Sequence, residues 1–139
     1  MVRQISRSLA IRASRSGLHE ITDEVREFVA GSEIREGLLT IFCRHTSASL
    51  LIQENAAPAA RRDLEAYFAR IAPENGPYEH DDEGPDDMPA HLRSALTATQ
   101  FSIPVESGEL ALGTWQGIFL FEHRRNTPER HIALHLIGE

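Results

Sequence analysis

Trp115-Gln116-Gly117-Ile118-Phe119-Leu120-Phe121-Glu122-His123 is apolar through its middle on both sides of an extended chain. Trp115, Gly117, Phe119, Phe121 and His123 share one parity, and Gln116, Ile118, Leu120 and Glu122 share the other. A strand with that pattern needs cover on both faces. It belongs to a β-rich last third in which Phe101–Val105, Glu109–Leu112 and Arg130–Ile137 also read as strands. Ser107-Gly108 and Asn126-Thr127-Pro128 supply the turns.

Outward from that stretch, strand and helix patterns alternate. Residues 2–13 read as a strand ended by Ser14-Arg15-Ser16-Gly17. Thr22 is an N-cap type for a short helix with Val25, Phe28 and Val29 as its apolar stripe, ending before Gly31. Leu38 to Arg44 is rich in strand formers and apolar on both parities, which predicts a strand covered on both faces. His45-Thr46-Ser47-Ala48-Ser49 interrupts it, and Leu50-Leu51-Ile52-Gln53 resumes an extended pattern. Ala60, Leu64, Tyr67, Phe68 and Ile71 mark one face of a helix from Pro58 to Ile71. A second helix carries Met88, Leu92, Ala95 and Leu96 as its stripe, with Pro89 and His91 in the first turn. The order points to an α+β fold: a mostly antiparallel β-sheet with helices packed on one side, one compact domain over residues 1–139. Four late strands with two apolar faces outrun the cover of three short helices, so self-association is expected to supply the remainder.

Composition narrows the partners. With 139 residues, of which 41% are hydrophobic, the chain buries about 70% of its unfolded surface without needing a metal or disulfide to fold. A net charge of −7 argues against neutralising a nucleic-acid backbone. All fourteen cations are Arg, which removes lysine Schiff-base chemistry. Cys43 is the single cysteine and reads as a buried thiol, so the reducing cytoplasm is the expected compartment. No apolar stretch reaches membrane-spanning length, and no membrane partner is expected.

The chemistry concentrates between His80 and His91, where two imidazoles bracket five carboxylates in a loop broken by Gly84, Pro85 and Pro89. Long loops in compact domains are more often functional than idle. Composition alone leaves two readings: a solvated acidic loop, or His80, Glu83 and His91 brought to one point by a reversal at Gly84. The spacing is not a standard zinc signature. His45-Thr46-Ser47-Ala48-Ser49 is either a phosphate cradle or a strand irregularity. In Gly113-Thr114-Trp115-Gln116-Gly117 the glycines permit close approach of a ligand or another backbone. Arg124 and Arg125 are placed to clamp a phosphate, and His131 and His135 read as packed or interfacial.

Taken together, His45 to Ser49, Gln53-Glu54-Asn55-Ala56, Asp63, His80 to Gly84, Asp86 to His91 and Leu112 to Gly117 resemble the YjbQ family, known as secondary thiamine-phosphate synthases. The resemblance implies a homotrimer of α+β protomers with the motif residues in a cleft near the subunit boundary. It also implies a transferase joining hydroxymethylpyrimidine diphosphate to thiazole phosphate with release of pyrophosphate. The alternative is a trimer that binds a metal or phosphorylated metabolite without converting it. Carried onto this chain, the resemblance makes Glu83, Asp63 and Glu122 the expected catalytic residues. Ser47, Ser49, Asn55, Trp115, Gln116 and Arg124 are expected to bind a small phosphorylated metabolite. His45, His80 and His91 are expected to hold a divalent metal, zinc-like at the histidines, with magnesium accompanying the diphosphate as the other option.

Overall fold

A computed structural model describes residues 1–139. The elements run β1 (Arg3–Ile11), β2 (Gly17–Glu20), α1 (Thr22–Ser32), β3 (Gly37–Cys43), β4 (Ala48–Glu54), α2 (Pro58–Ile71), α3 (Asp87–Leu96), β5 (Gln100–Glu106), β6 (Glu109–Leu110), β7 (Gln116–Glu122) and β8 (Arg130–Gly138). Every strand pairing is antiparallel, and the class is α+β as expected. The strands form two sheets rather than one: β1-β8-β3-β5-β6 and β2-β7-β4.

The double apolar parity of β7 explains the second sheet. Ile118 and Leu120 face the large sheet and join Leu39, Ile41, Leu134 and Leu136, with Val25 and Phe28 of α1, in the main core. Phe119 and Phe121 face the other way and pack with Leu18 of β2 against Leu64 and Phe68 of α2. One strand therefore serves two cores, each of its apolar side chains contributing about 1.5–3 kcal/mol of burial.

Several local expectations shift. β2 lies beyond the predicted first strand, because Leu18 finds a place beside Phe121 that its polar neighbours do not advertise. Thr22 is not the N-cap. Ile21 is, and the Thr22 hydroxyl donates to Glu20 Oε2 (2.8 Å) and accepts the Ile118 N–H (2.9 Å), tying α1 to β7. α1 runs through Gly31 to Ser32, ending where Glu33 turns left-handed (φ 60°). α3 buries Asp87, Pro89 and Ala90, while Leu96 is 61% exposed, so its contact face lies nearer the helix start than the apolar spacing predicts.

β3 departs most from expectation. Leu39, Ile41 and Cys43 are buried, but Leu38 and Phe42 on the opposite face are 42% and 44% exposed. Leu38 pairs across to Ile137 of β8, itself 41% exposed, so the outward face of the large sheet is partly apolar and open. The helices lie elsewhere: α1 against β6 and β7, α2 against β2, α3 against β4.

Candidate metal centre

α3 begins at Asp87, so His91 stands one helical turn later, in the second turn and on the same face. His80 and Glu83 arrive from the preceding loop, which reverses at Gly84 (φ 101°), a backbone angle suited to glycine. One ligand atom from each of His80, Glu83, Asp87 and His91 lies within 4.8 Å of all the others. His80 Nε2 is 3.1 Å from both Glu83 Oε2 and Asp87 Oδ2, and His91 Nε2 is 3.2 Å from Asp87 Oδ2.

Asp87 is the hub, with its side chain 6% exposed. Arg124 donates to its Oδ1 from Nη1 at 2.5 Å and also reaches Asp86 Oδ2 (3.2 Å) and the Glu83 carbonyl (3.0 Å). This fixes the carboxylate and leaves Oδ2 facing the two imidazoles. Both rings are near, yet Oδ2 accepts no aligned hydrogen bond from either and is a buried oxygen without a donor. Such a group costs about 1–3 kcal/mol when unsatisfied, and a cation is the partner that suits it.

The surroundings of the two histidines are compatible with a bound cation. His91 Nδ1 lies 3.0 Å from the Thr46 carbonyl, which only accepts, so Nδ1 carries a proton and Nε2 is the nitrogen turned toward Asp87 and His80. His80 is more basic than usual, chiefly through its hydrogen bond to Glu83, with Asp82, Glu83 and Asp87 adding negative charge around it. Burial opposes ionisation of Asp86, but the Arg125 N–H (2.8 Å) and Arg124 outweigh it and hold that carboxyl below its ordinary range. Two imidazole nitrogens with two carboxylates fit a zinc-like transition metal better than magnesium, which prefers oxygen alone.

The remaining expected site residues fall elsewhere. His45 stands outside the cluster: its Nε2 accepts the His131 backbone N–H at 2.8 Å, so a three-histidine ligand set does not form. Glu122 is fully buried against Arg130, with Nε to Oε1 at 2.7 Å and Nη2 to Oε2 at 2.5 Å, and is a structural partner rather than a free acid. Ser49 is 1% exposed, its hydroxyl engaged with His123 Nε2 (2.9 Å) and Thr97 (2.5 Å). The Ser47 carbonyl accepts from Arg130 (3.0 Å). Asp63 is exposed on α2.

Asn55, Trp115 and Gln116 gather at the far end of β7. Asn55 donates to Trp115 O through its backbone (3.0 Å) and to Glu20 Oε2 through its side chain (3.0 Å). Gly117 is required there, since a Cβ would lie 2.8 Å from Asn55 Cβ and 2.7 Å from Glu20 Oε2. β4 and β7 pair from Ala48↔Glu122 to Glu54↔Gln116, a span of about 20 Å at ~3.4 Å per residue. Within one protomer, Trp115 and Gln116 therefore do not reach the Asp87 cluster. Of the expected set, only His80, Glu83, His91 and Arg124 meet. Asp87 was missed, although its four-residue spacing from His91 is a helical signal.

Fold and site together define a two-sheet antiparallel α+β domain with a cluster of two histidines and two carboxylates at one end of its central strand. Residues 7–139 match the family model described as UPF0047 protein YjbQ-like. The chain is 49% identical to the UPF0047 protein sll1880 of Synechocystis over 99% of this chain and 94% of that one. It is 44% identical to UPF0047 protein YjbQ of Escherichia coli O157:H7 over 96% and 97%. The crystal structure of a YbjQ-like protein of unknown function from Sulfolobus solfataricus superposes with a TM-score of 0.92 at 26% identity, covering 100% of both chains. The chain belongs to the YjbQ (UPF0047) family. The same relatives overturn the thiamine-phosphate synthase activity that the resemblance implied: none carries that activity in its name, and the solved relative is described as of unknown function.

Proposed function

We propose that this protein is a metal-dependent enzyme that holds one divalent transition metal, of zinc type, through His80, Glu83, Asp87 and His91. Its substrate is a small phosphorylated molecule bound beside the metal. The observation that carries this reading is the buried, donor-less Oδ2 of Asp87, set between two imidazole nitrogens by Arg124 on one side and by the Thr46 carbonyl behind His91 on the other. A metal there supplies Lewis acidity toward a bound oxygen. The chain's own part is to hold the ligand atoms in place: Arg124 orients Asp87, Thr46 fixes the His91 tautomer, and Glu83 accepts from or releases the His80 proton. His80 sheds its extra proton as metal binds, so affinity rises with pH through the His80 titration.

The test is uptake of zinc by chelator-stripped protein, followed by calorimetry and elemental analysis. One zinc per chain is expected, with affinity reduced at least tenfold to hundredfold in Asp87→Asn and His91→Ala, the scale seen even for partners behind the ligands. Equal uptake by wild type and both variants, or no uptake by wild type, removes the reading.

Self-association as a homotrimer is proposed with it, supported by the open apolar face at Leu38, Phe42 and Ile137. Sedimentation is expected to give about three times the 15.5 kDa chain mass, and a monomer mass at micromolar concentration rejects it. A reducing cytoplasmic setting is proposed from Cys43, which is 1% exposed and unpaired. No helix of the chain is long and apolar enough to cross a membrane.

A further inference from the structure

β3 ends at Cys43 and the chain bends away through His45 and Thr46 before β4 begins at Ala48. β8 runs on beside that bend: Cys43 still pairs with Ile132, and the next N–H along β8, that of His131, is met by the His45 ring. An N–H donor 2.8 Å from Nε2 requires a lone pair on that nitrogen, so the neutral ring carries its proton on Nδ1. No carbonyl, hydroxyl or carboxylate of the chain accepts from Nδ1. The ring stacks on His131 with centroids 6.2 Å apart and stays half-exposed. Burial lowers its basicity, and Arg130, His131 and Arg44 reinforce the effect against the opposing charge of Glu122, which agrees with an uncharged donor.

His45 also lines an open cavity of about 640 Å³ whose wall includes Arg44, Thr46, His91, Ser94 and Thr99. His91 belongs to the metal cluster, so the cavity and the cluster share a wall. No Asp or Glu lines the cavity, although the chain carries a net charge of −7 and the acidic loop lies on the other side of His91. The cavity wall is largely apolar through Phe42, which also belongs to the open sheet face, Cys43 and Ala95. Its polar groups are Arg44, the two imidazoles and the hydroxyls, with the His45 Nδ1–H bonded to nothing within the chain.

We propose that this recess is an oxyanion subsite in which the Nδ1–H of His45, with Arg44, holds the phosphate or carboxylate group of the molecule presented to the metal cluster. His45, the residue expected among the metal ligands, is on this assignment a substrate-positioning residue. The inference deepens the metal reading and rests on it only for what lies across His91.

Two measurements on the intact protein test it. Nitrogen-15 spectra of the histidine rings are expected to show His45 protonated at Nδ1 and bare at Nε2, with Nδ1 shifting when inorganic phosphate or acetate is added. Calorimetry of the zinc-loaded protein with each probe is expected to show binding that weakens about tenfold or more in His45→Ala, the loss typical of one hydrogen bond to a charged group. Arg44→Ala is expected to weaken it as well. Phosphate binding without acetate binding assigns the subsite to phosphate, and the reverse to carboxylate. An Nε2–H tautomer, no binding of either probe, or unchanged affinity in His45→Ala overturns the proposal. Repeating the titration on metal-free protein separates the two readings: a phosphate or acetate shift at His45 in protein that takes up no zinc keeps the subsite and removes the metal centre.

Discussion

Arg130→Met is expected to destabilise the fold by about 3–5 kcal/mol, the cost of leaving one member of a buried ion pair alone. Arg130 and Glu122 are 4% and 0% exposed, joined by two hydrogen bonds, and Arg130 also holds the Ser47 carbonyl. Without the guanidinium, Glu122 keeps only the Arg124 N–H (3.0 Å) for a charge sealed from water. The double variant Arg130→Met with Glu122→Leu removes both charges at similar volume and is expected to recover most of the loss. Urea unfolding of the three proteins decides it. A loss below about 1 kcal/mol in the single variant would place the pair among weak surface-like bridges instead. Glu122 immediately precedes His123 and Arg124, so zinc affinity should also fall in Arg130→Met and return in the double variant only if the end of β7 recovers its position.

Acid should weaken the fold through His123. Burial, then Arg93 and Arg130, push this imidazole down to about 3, whereas an unfolded histidine titrates near 6.5. Above pH 6.5 neither state holds the proton, and the group is silent. As pH falls below 6.5 the unfolded chain takes up a proton that the folded one refuses until about pH 3, so stability declines across that window and levels off beneath it. The gap sets about 5 kcal/mol as the ceiling of the loss, at ~1.4 kcal/mol per pH unit. His45 titrates in the same direction. His80, raised in the fold, works oppositely, adding stability at low pH that is lost as pH rises through its folded value. The His123 share is isolated by His123→Gln, which should flatten the fall between pH 6 and 4, whatever its cost at neutral pH. A slope unchanged from wild type would assign the acid sensitivity to other groups.

Much of this organisation is legible in the chain. The bounds of α2, the turn at Ser107-Gly108 and the late strands follow from periodicity and turn chemistry, although of the large side chains on the α2 face only Leu64 and Phe68 pack inward while Tyr67 and Ile71 stay exposed. The split into two sheets is less legible, because a strand apolar on both parities does not say whether helix or sheet covers each face. At β7 the second face meets α2, whereas at β3 the second face of the protomer stays open. His80, Glu83 and His91 stand out by residue type and by the glycine between them. Asp87 is hidden among neighbouring carboxylates: Asp86 beside it is also buried and bonded to Arg124, and what sets Asp87 apart is its place between His80 and His91. His45 was misassigned because sequence spacing cannot tell which ring nitrogen a distant strand will occupy. Glu122 and Arg130 lie eight residues apart on different strands, a pairing that no local pattern announces.

β7 keeps its polar residues at its ends and is apolar between. Asn55, Glu20 and Gln116 occupy one end and the Asp87 cluster the other, about 20 Å apart at ~3.4 Å per residue, roughly twice the screening length at physiological salt. Solvent-exposed charge gained or lost at the histidine end is therefore largely screened at the tryptophan end, whereas the buried Glu122–Arg130 pair is shielded far less. Exposed residues at the two ends can therefore change charge with little effect on each other, while both still depend on the packed strand that joins them.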